Sequence, residues 1–279
     1  MRIAVIGSGS TGMSILEVIL IGWAVVAAIQ AALWVVQRVR RDAGWVDVGW
    51  AYGIGVLAVL YAALLEGDPL RRWLIAALGG VWSLRLGSYL LSNRVLGKPE
   101  DGRYQALRAS WGARAQPYFF LFFQFQAGLD VLFGMPLLVA MLHPGGPFGV
   151  TGWLGIAVWA VAVGGESLAD RQLARFRADP GNRGRTCQIG LWRYSRHPNY
   201  FFEFVHWWAY VLLAIGSPLW WLTLLGPAVM LFFLAKLTGI PATEAQAMRS
   251  RADYAEYQRT TSAFVPWPPR RRPAGTARL

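Results

Sequence analysis

The chain has 279 residues, 55% of them apolar and 15% charged, with 15 tryptophans and a formal charge of +12. That composition is too apolar for an ordinary soluble domain. A lone cysteine, Cys187, excludes an internal disulfide framework.

The chain opens with "RIAVIGSGSTGMS", in which Gly7, Gly9 and Gly12 have the spacing of a dinucleotide fingerprint. That fingerprint has meaning only between a strand and a helix, about 20 residues before an acid that grips the ribose. Ile3 to Ile6 supplies a strand-like run. The next stretch, 15–36, reads "ILEVILIGWAVVAAIQAALWVV", with one acid, Glu17, and no second strand. Residues 1–13 therefore read as a flexible Gly/Ser leader, not as a nucleotide site.

Beyond the leader the chain has seven apolar stretches, near 14–36, 46–65, 72–92, 117–142, 148–166, 200–214 and 218–238. A span needs about 20 apolar residues, so the sixth is short. The first is too long for a signal-peptide core and reads as a retained anchor. Every Lys and Arg except Arg2, Arg71, Arg72 and Arg85 falls in the first, third and fifth connections, or at the end of the last stretch (Lys236) and beyond it. Basic residues stay on the cytoplasmic side. The expected fold is all-α: a polytopic membrane protein of about seven helices, N-terminus outside and C-terminus cytoplasmic. Residues 14–269 form one seven-helix domain, and 270–279 a basic disordered tail. The location implied is the inner membrane of a bacterium. Topology accounts for most of the charge, so no nucleic-acid partner is expected; a basic RNA-binding patch is the competing reading. Arg270 to Arg272 can also meet anionic lipid heads.

A polar group inside a span is a functional candidate because burying it is expensive. Asp47 and Trp50 open the second span. Arg85 and Tyr89 share a face of the third, one turn apart. Gln124 and Gln126 lie in the inner half of the fourth, Glu166 ends the fifth, and Glu203 and His206 open the sixth. Asp130 is the exception, roughly 20 Å along its helix from the inner end, within reach of a structural pairing with Arg85. Bland alternatives stand beside these: Asp47 as a helix cap, Tyr89 as an interfacial aromatic, Glu203 and His206 satisfying each other. With 3 histidines in the chain, no metal site is expected.

The fifth connection, residues 164–203, reads "GGESLADRQLARFRADPGNRGRTCQIGLWRYSRHPNYFFE". Arg171, Arg175, Arg177, Arg183, Arg185, Arg193 and Arg196 exceed what topology requires, and Arg presents a rigid fork of donors to phosphate. Tyr194 and Tyr200 offer faces on which an adenine can stack, and Asp170 can take an amide or a ribose hydroxyl. The set suits a flat, phosphorylated cofactor at the membrane surface.

"GLWRYSRHPNYFFE" resembles the signature of the steroid 5-alpha-reductase and sterol reductase superfamily, which includes the isoprenylcysteine carboxyl methyltransferases. "RRDAGWVDVGW" (40–50), "GKPEDGRYQALRASWG" (97–112) and "GIPATEAQAMRSRADYAEYQRTTSAFVPWPP" (239–269) are most similar to the bacterial family called domain of unknown function 1295. The resemblance covers about residues 38–269. It implies a seven-helix enzyme whose cofactor, NADPH in the reductases and S-adenosylmethionine in the methyltransferases, enters from the cytoplasm. It further implies that Arg196, His197, Asn199, Tyr200 and Glu203 hold the nicotinamide half. Asp170, Arg171, Arg177 and Arg183, with Arg193 beside them, would hold adenosine and phosphates. Tyr254, Tyr257 and Arg259 would close the site, and Arg85, Tyr89 and Asn93 align with a block of the steroid enzymes. Trp82 stands where those enzymes carry a Tyr, and Phe202 where they carry a small residue.

The function expected is an NADPH-dependent reductase that saturates a carbon–carbon double bond of a lipid-soluble substrate, steroid-like, isoprenoid or fatty acyl. Asp47, Tyr89 and Glu203 are the catalytic candidates, with Asp47 or Tyr89 hydrogen-bonding a substrate carbonyl. The alternatives are an S-adenosylmethionine-dependent methyltransferase and a non-enzymatic lipid-binding protein. The sequence leaves the oligomeric state open.

Overall fold

A computed structural model describes residues 12–145, 148–237 and 239–270. Most of the predicted leader (1–11) and of the basic tail (271–279) lies outside the described residues. Those described are helical, without a strand; an isolated parallel bridge joins Ser195 to Ser262. Six helices are long and apolar enough to cross a membrane. The predicted sixth span forms a helix of 17 residues, Pro198–Ala214. At 1.5 Å per residue it is about 25 Å long, short of an about 30 Å hydrocarbon layer.

The segment expected to be one domain forms two compact units, Met1–Gly149 with Ala214–Leu225, and Val150–Leu213 with Gly226–Leu279. The first holds α1 (Ile15–Arg40), α2 (Trp45–Leu64), α3 (Pro69–Leu90), α4 (Gly102–Trp111) and α5 (Ala115–Met141). A π-helical turn, Leu91–Val95, extends α3. A capping box starts α1: Ser14 Oγ accepts from the Glu17 N–H, and Glu17 accepts from the Ser14 N–H at 2.6 Å. Asp68 caps α3, with Pro69 in its first turn. α1 follows the leader directly, and Gly7 and Gly9 of the glycine triplet lie outside the described residues.

α2 is the centre of this unit. Ala51, Ile54, Leu57, Ala58, Tyr61 and Ala62 are all fully buried. Lipid tails are as apolar as leucine, so close van der Waals packing through small residues must hold such helices together. Gly55 shows how tightly: a Cβ there would lie 2.3 Å from Ser83 Oγ, whose hydroxyl donates to Ala51 O at 2.7 Å. At the basic end of the unit, Glu100 accepts from the Ala43 N–H (2.8 Å) and from Arg108 (2.7 Å). Gln37 donates to Gln116 at 2.8 Å, tying α1 to α5.

The second unit holds α6 (Val150–Ala178), α7 (Pro198–Ala214), α8 (Leu225–Phe232), α9 (Ile240–Ser250) and α10 (Tyr254–Thr260). Here the structure corrects two boundaries. The connection expected to begin at residue 164 is helical to Ala178, so Asp170, Arg171 and Arg177 stand on a helix, not a loop. The reason is a buried face at helical spacing, Glu166, Ala169, Asp170 and Leu173, which continues the helix beyond its apolar run. The stretch near 218–238 lies in a candidate span that runs from Trp220 to Ser250, and its pitch is irregular. It takes in a 3₁₀ turn (Trp220–Leu224), the eight residues of α8 and a π-helical turn (Phe233–Leu237). Gly226 and Pro227 stand in the first turn of α8, where the missing proline N–H costs no helical bond.

Candidate functional site

Asp47, Tyr89 and Asn93 belong to the first unit. Asp47 lies in the first turn of α2, about a fifth exposed. Its carboxylate accepts from the Tyr104 hydroxyl at 2.7 Å and from Arg103 at 3.3 Å. Arg103 also grips Asp101, the cap of α4, at 3.0 Å. Burial pushes the Asp101 carboxyl up, but the Arg103 hydrogen bond and charge outweigh it and hold it below the usual range. Asp42, in the α1–α2 turn, goes the other way: burial lifts it despite the bond from the Gly44 N–H. Asp47 is thus the centre of a polar knot that fixes α4 to α2. The Arg85 guanidinium sits 5.9 Å from the Tyr89 ring centre, so the predicted i, i+4 pair does meet. Asn93, in the π-helical turn, donates back to Tyr89 O at 3.0 Å. Trp82 is fully buried and packs edge-on against Trp50 at 6.1 Å.

The remaining candidates lie in the second unit, where they form two groups. The first is structural in kind. Arg196 bonds Glu244 at 2.7 Å and donates to the carbonyls of Gln258 and Thr261. His197, 3% exposed, meets the same Glu244 oxygen at 3.2 Å and stacks on Tyr200, 5.2 Å between centres and 5° from parallel. Gln258 donates to the other Glu244 oxygen at 2.7 Å. Tyr257 donates to the Trp192 and Ser195 carbonyls. Burial pushes the hydroxyls of Tyr254 and Tyr257 up, so both stay protonated donors. Arg196, His197, Tyr254 and Tyr257 therefore bind α9 and α10 to the "RYSRHP" segment. Arg259 pairs with Glu256 on the exposed face of α10.

The second group gathers around α6 and the start of α7. Asp170, 4% exposed, accepts from Asn199 at 3.2 Å, and the Asn199 oxygen accepts from the Tyr200 N–H at 3.0 Å. Tyr200 also meets the Thr243 hydroxyl at 3.3 Å. Glu203 accepts from Trp207 at 3.1 Å, and His206 meets the Tyr210 hydroxyl at 3.1 Å. Arg171 turns back to its own helix at Ser167 O. Arg193 and Tyr194 are exposed.

Beyond Ala178, Asp179 caps a 3₁₀ turn at Pro180–Asn182. That turn folds the chain over a cavity of about 500 Å³. Arg177, Arg183, Arg185 and Arg251 line it, with Leu173 and Phe176 as an apolar wall. Asp179 is the one acid in that lining, and Cys187 lies at the wall with its thiol pushed up by burial. Asp253 holds the loop in place by accepting from the Thr186 N–H (2.9 Å) and hydroxyl (2.6 Å). Four arginines around one concave, partly apolar space can offer several hydrogen-bond donors to a phosphate group. Arg177, Arg183 and Arg185 were singled out from the sequence; Arg251 and the organising acids Glu244 and Asp253 were not. Glu244 and Asp253 are separated from their partners by 47 and 67 residues, and no local pattern announces such pairs. Among the described residues no cluster of three His, Cys, Asp or Glu could hold a metal ion.

A family model described as "Protein of unknown function (DUF1295)" matches residues 33–261. No curated protein and no solved structure matches the chain. The matched segment takes in α2 to α10, both polar knots and the arginine-lined cavity, and the chain belongs to the DUF1295 family.

Proposed function

We propose that the protein is an NADPH-dependent reductase of the bacterial inner membrane that saturates a carbon–carbon double bond in a lipid-soluble substrate. The arginine-lined cavity of the second unit carries the reading. Arg177, Arg183, Arg185 and Arg251 provide more positive charge than one pyrophosphate requires, which suits a dinucleotide with an additional 2′-phosphate. Asp170 and Asn199, bonded to each other, present an amide and a carboxylate to a ribose or carboxamide. When bound, NADPH supplies the hydride; the protein supplies position and electrostatics. For an enone substrate, the Tyr89 hydroxyl would hydrogen-bond the carbonyl oxygen and stabilise the developing enolate. Asp47 already accepts from Tyr104 and Arg103, and its part in this reading is to hold α4 over the start of α2.

The test is cofactor identity. Purified protein in detergent is titrated with NADPH and with S-adenosylmethionine, and any copurifying nucleotide is identified by mass spectrometry. The reductase reading expects NADPH to bind in the micromolar range or tighter. Binding of S-adenosylmethionine without NADPH makes the protein a methyltransferase, and binding of neither leaves a lipid-binding protein without this chemistry.

A further inference from the structure

Three polar side chains meet inside the first unit, on helices α1, α2 and α5. Asp130 comes from α5, Gln30 from α1 and Tyr61 from α2, and all three are fully buried. Gln30 faces the Asp130 carboxyl, and Tyr61 lies within its field. Yet Asp130 Oδ1 and Oδ2, Gln30 Nε2 and Oε1, and the Tyr61 hydroxyl have no hydrogen-bond partner among the described residues. The pairing of Asp130 with Arg85 considered from sequence is replaced by this company. α2 answers the cluster with bare backbone. A Cβ at Gly49 would lie 3.0 Å from both Gln30 amide atoms, and one at Gly53 would lie 2.6 Å from Asp130 Oδ2.

Five orphaned polar atoms at one point in an apolar bundle are costly, because nothing in hydrocarbon replaces the bonds they lack. We infer that Asp130, Gln30 and Tyr61 form an intramembrane site for one hydroxyl group, carried by a lipid-soluble alcohol. The donor inventory selects the group. The amide N–H and the Tyr61 O–H give, while the Asp130 and Gln30 oxygens accept. A hydroxyl both accepts and donates, so it answers the two kinds at once, whereas an ether or ketone answers only the donors.

One observation favours a lipid over trapped water: Gln30, the α1 member of the cluster, stands on the span most open to the bilayer. α1 has the lowest buried share of the candidate spans, 22%. One turn from Gln30, its Trp34 borders a groove of about 490 Å³ shared with Pro117, Phe120 and Leu121 of α5. Arg38 stacks on Trp34 at 4.9 Å and marks the headgroup end of that groove. The lining of the groove stops at Trp34 and Leu121, so an alcohol that enters it reaches Asp130 only by parting α1 from α5. An alcohol site assigns a substrate class to the reductase reading, but binding at the site does not depend on that reading.

The experiment reads the carboxyl itself. Infrared difference spectra of the purified protein are recorded on adding a long-chain primary alcohol, and separately the alkane of the same length, both without nucleotide. The Asp130 carboxyl band is identified by its disappearance in Asp130→Asn. The inference expects the alcohol, and not the alkane, to shift that band, with affinity at least tenfold weaker in Tyr61→Phe, which keeps the ring and the packing. No shift, or the same shift with the alkane, overturns it. A band that responds to heavy water but not to the alcohol assigns the cluster to water and likewise overturns it. These outcomes are independent of NADPH titration, so failure of one reading leaves the other standing.

Discussion

At the scale of single residues, the charged side chains of this protein divide into those that hold the fold and those that face a ligand space. From the sequence Asp47 is a catalytic candidate at the start of a span, and Arg196 a cofactor-binding candidate in the fifth connection. Both prove to be organisers. Asp47 takes two donors from α4, and Arg196 satisfies a carboxylate and two carbonyls. Replacing Tyr104 by Phe removes one donor to Asp47 and keeps the ring. The expected cost is about 1–1.5 kcal/mol of stability, as for a partly buried hydrogen bond to a charge, read as a lowered thermal midpoint in detergent. Cofactor affinity in that variant is expected to stay at the wild-type value. A loss of affinity without a loss of stability would return Asp47 to the ligand site.

At the scale of elements, what the sequence disclosed depended on whether the signal was local. Hydropathy placed α2 and α3 within about three residues, because an apolar run bounded by Arg, Gly and Pro needs no tertiary information. It stopped α6 near residue 166, twelve residues short of Ala178, because the rest of that helix is amphipathic and carries its arginines outward. The C-terminal helices show the same limit. α9 and α10 are short and polar, and their position is set by Glu244, which collects Arg196, His197 and Gln258 from distant parts of the chain. Glu244→Gln is expected to cost about 2 kcal/mol, since it leaves the Arg196 charge with only neutral partners in a site only 11% to 15% exposed. Limited proteolysis should then cut between residues 239 and 262 faster than in the wild type while sparing α6. Unchanged cleavage would mean that α9 and α10 are held by packing of Tyr254 and Tyr257 alone.

At the scale of the whole molecule, membrane insertion and family membership stand on composition, helix length and the match over 33–261. The orientation rests on the distribution of Lys and Arg. Reporter fusions after residue 145 should report outside and fusions after residue 185 inside; the same side for both would mean that α6, which lies between them, does not cross, and would remove the seven-crossing arrangement. The orphaned cluster and the arginine cavity lie in different parts of the chain, the cluster in α1, α2 and α5 and the cavity in α6 and the segments C-terminal to it. The polar cluster was only half legible: Asp130 stands out in any apolar window, but Gln30 and Tyr61 do not, and only helix packing brings the three together.

The central claim is that the arginine cavity takes a 2′-phosphorylated dinucleotide, and a paired titration tests it most directly. Wild-type protein, Arg177→Ala and Arg183→Ala are each titrated with NADPH and with NADH by calorimetry. If either arginine grips the 2′-phosphate, its removal should weaken NADPH by about 1.5–3 kcal/mol, as for a hydrogen bond to a charged group, and leave NADH nearly unchanged. Equal losses for both cofactors, or NADPH affinity untouched in both variants, would contradict the account.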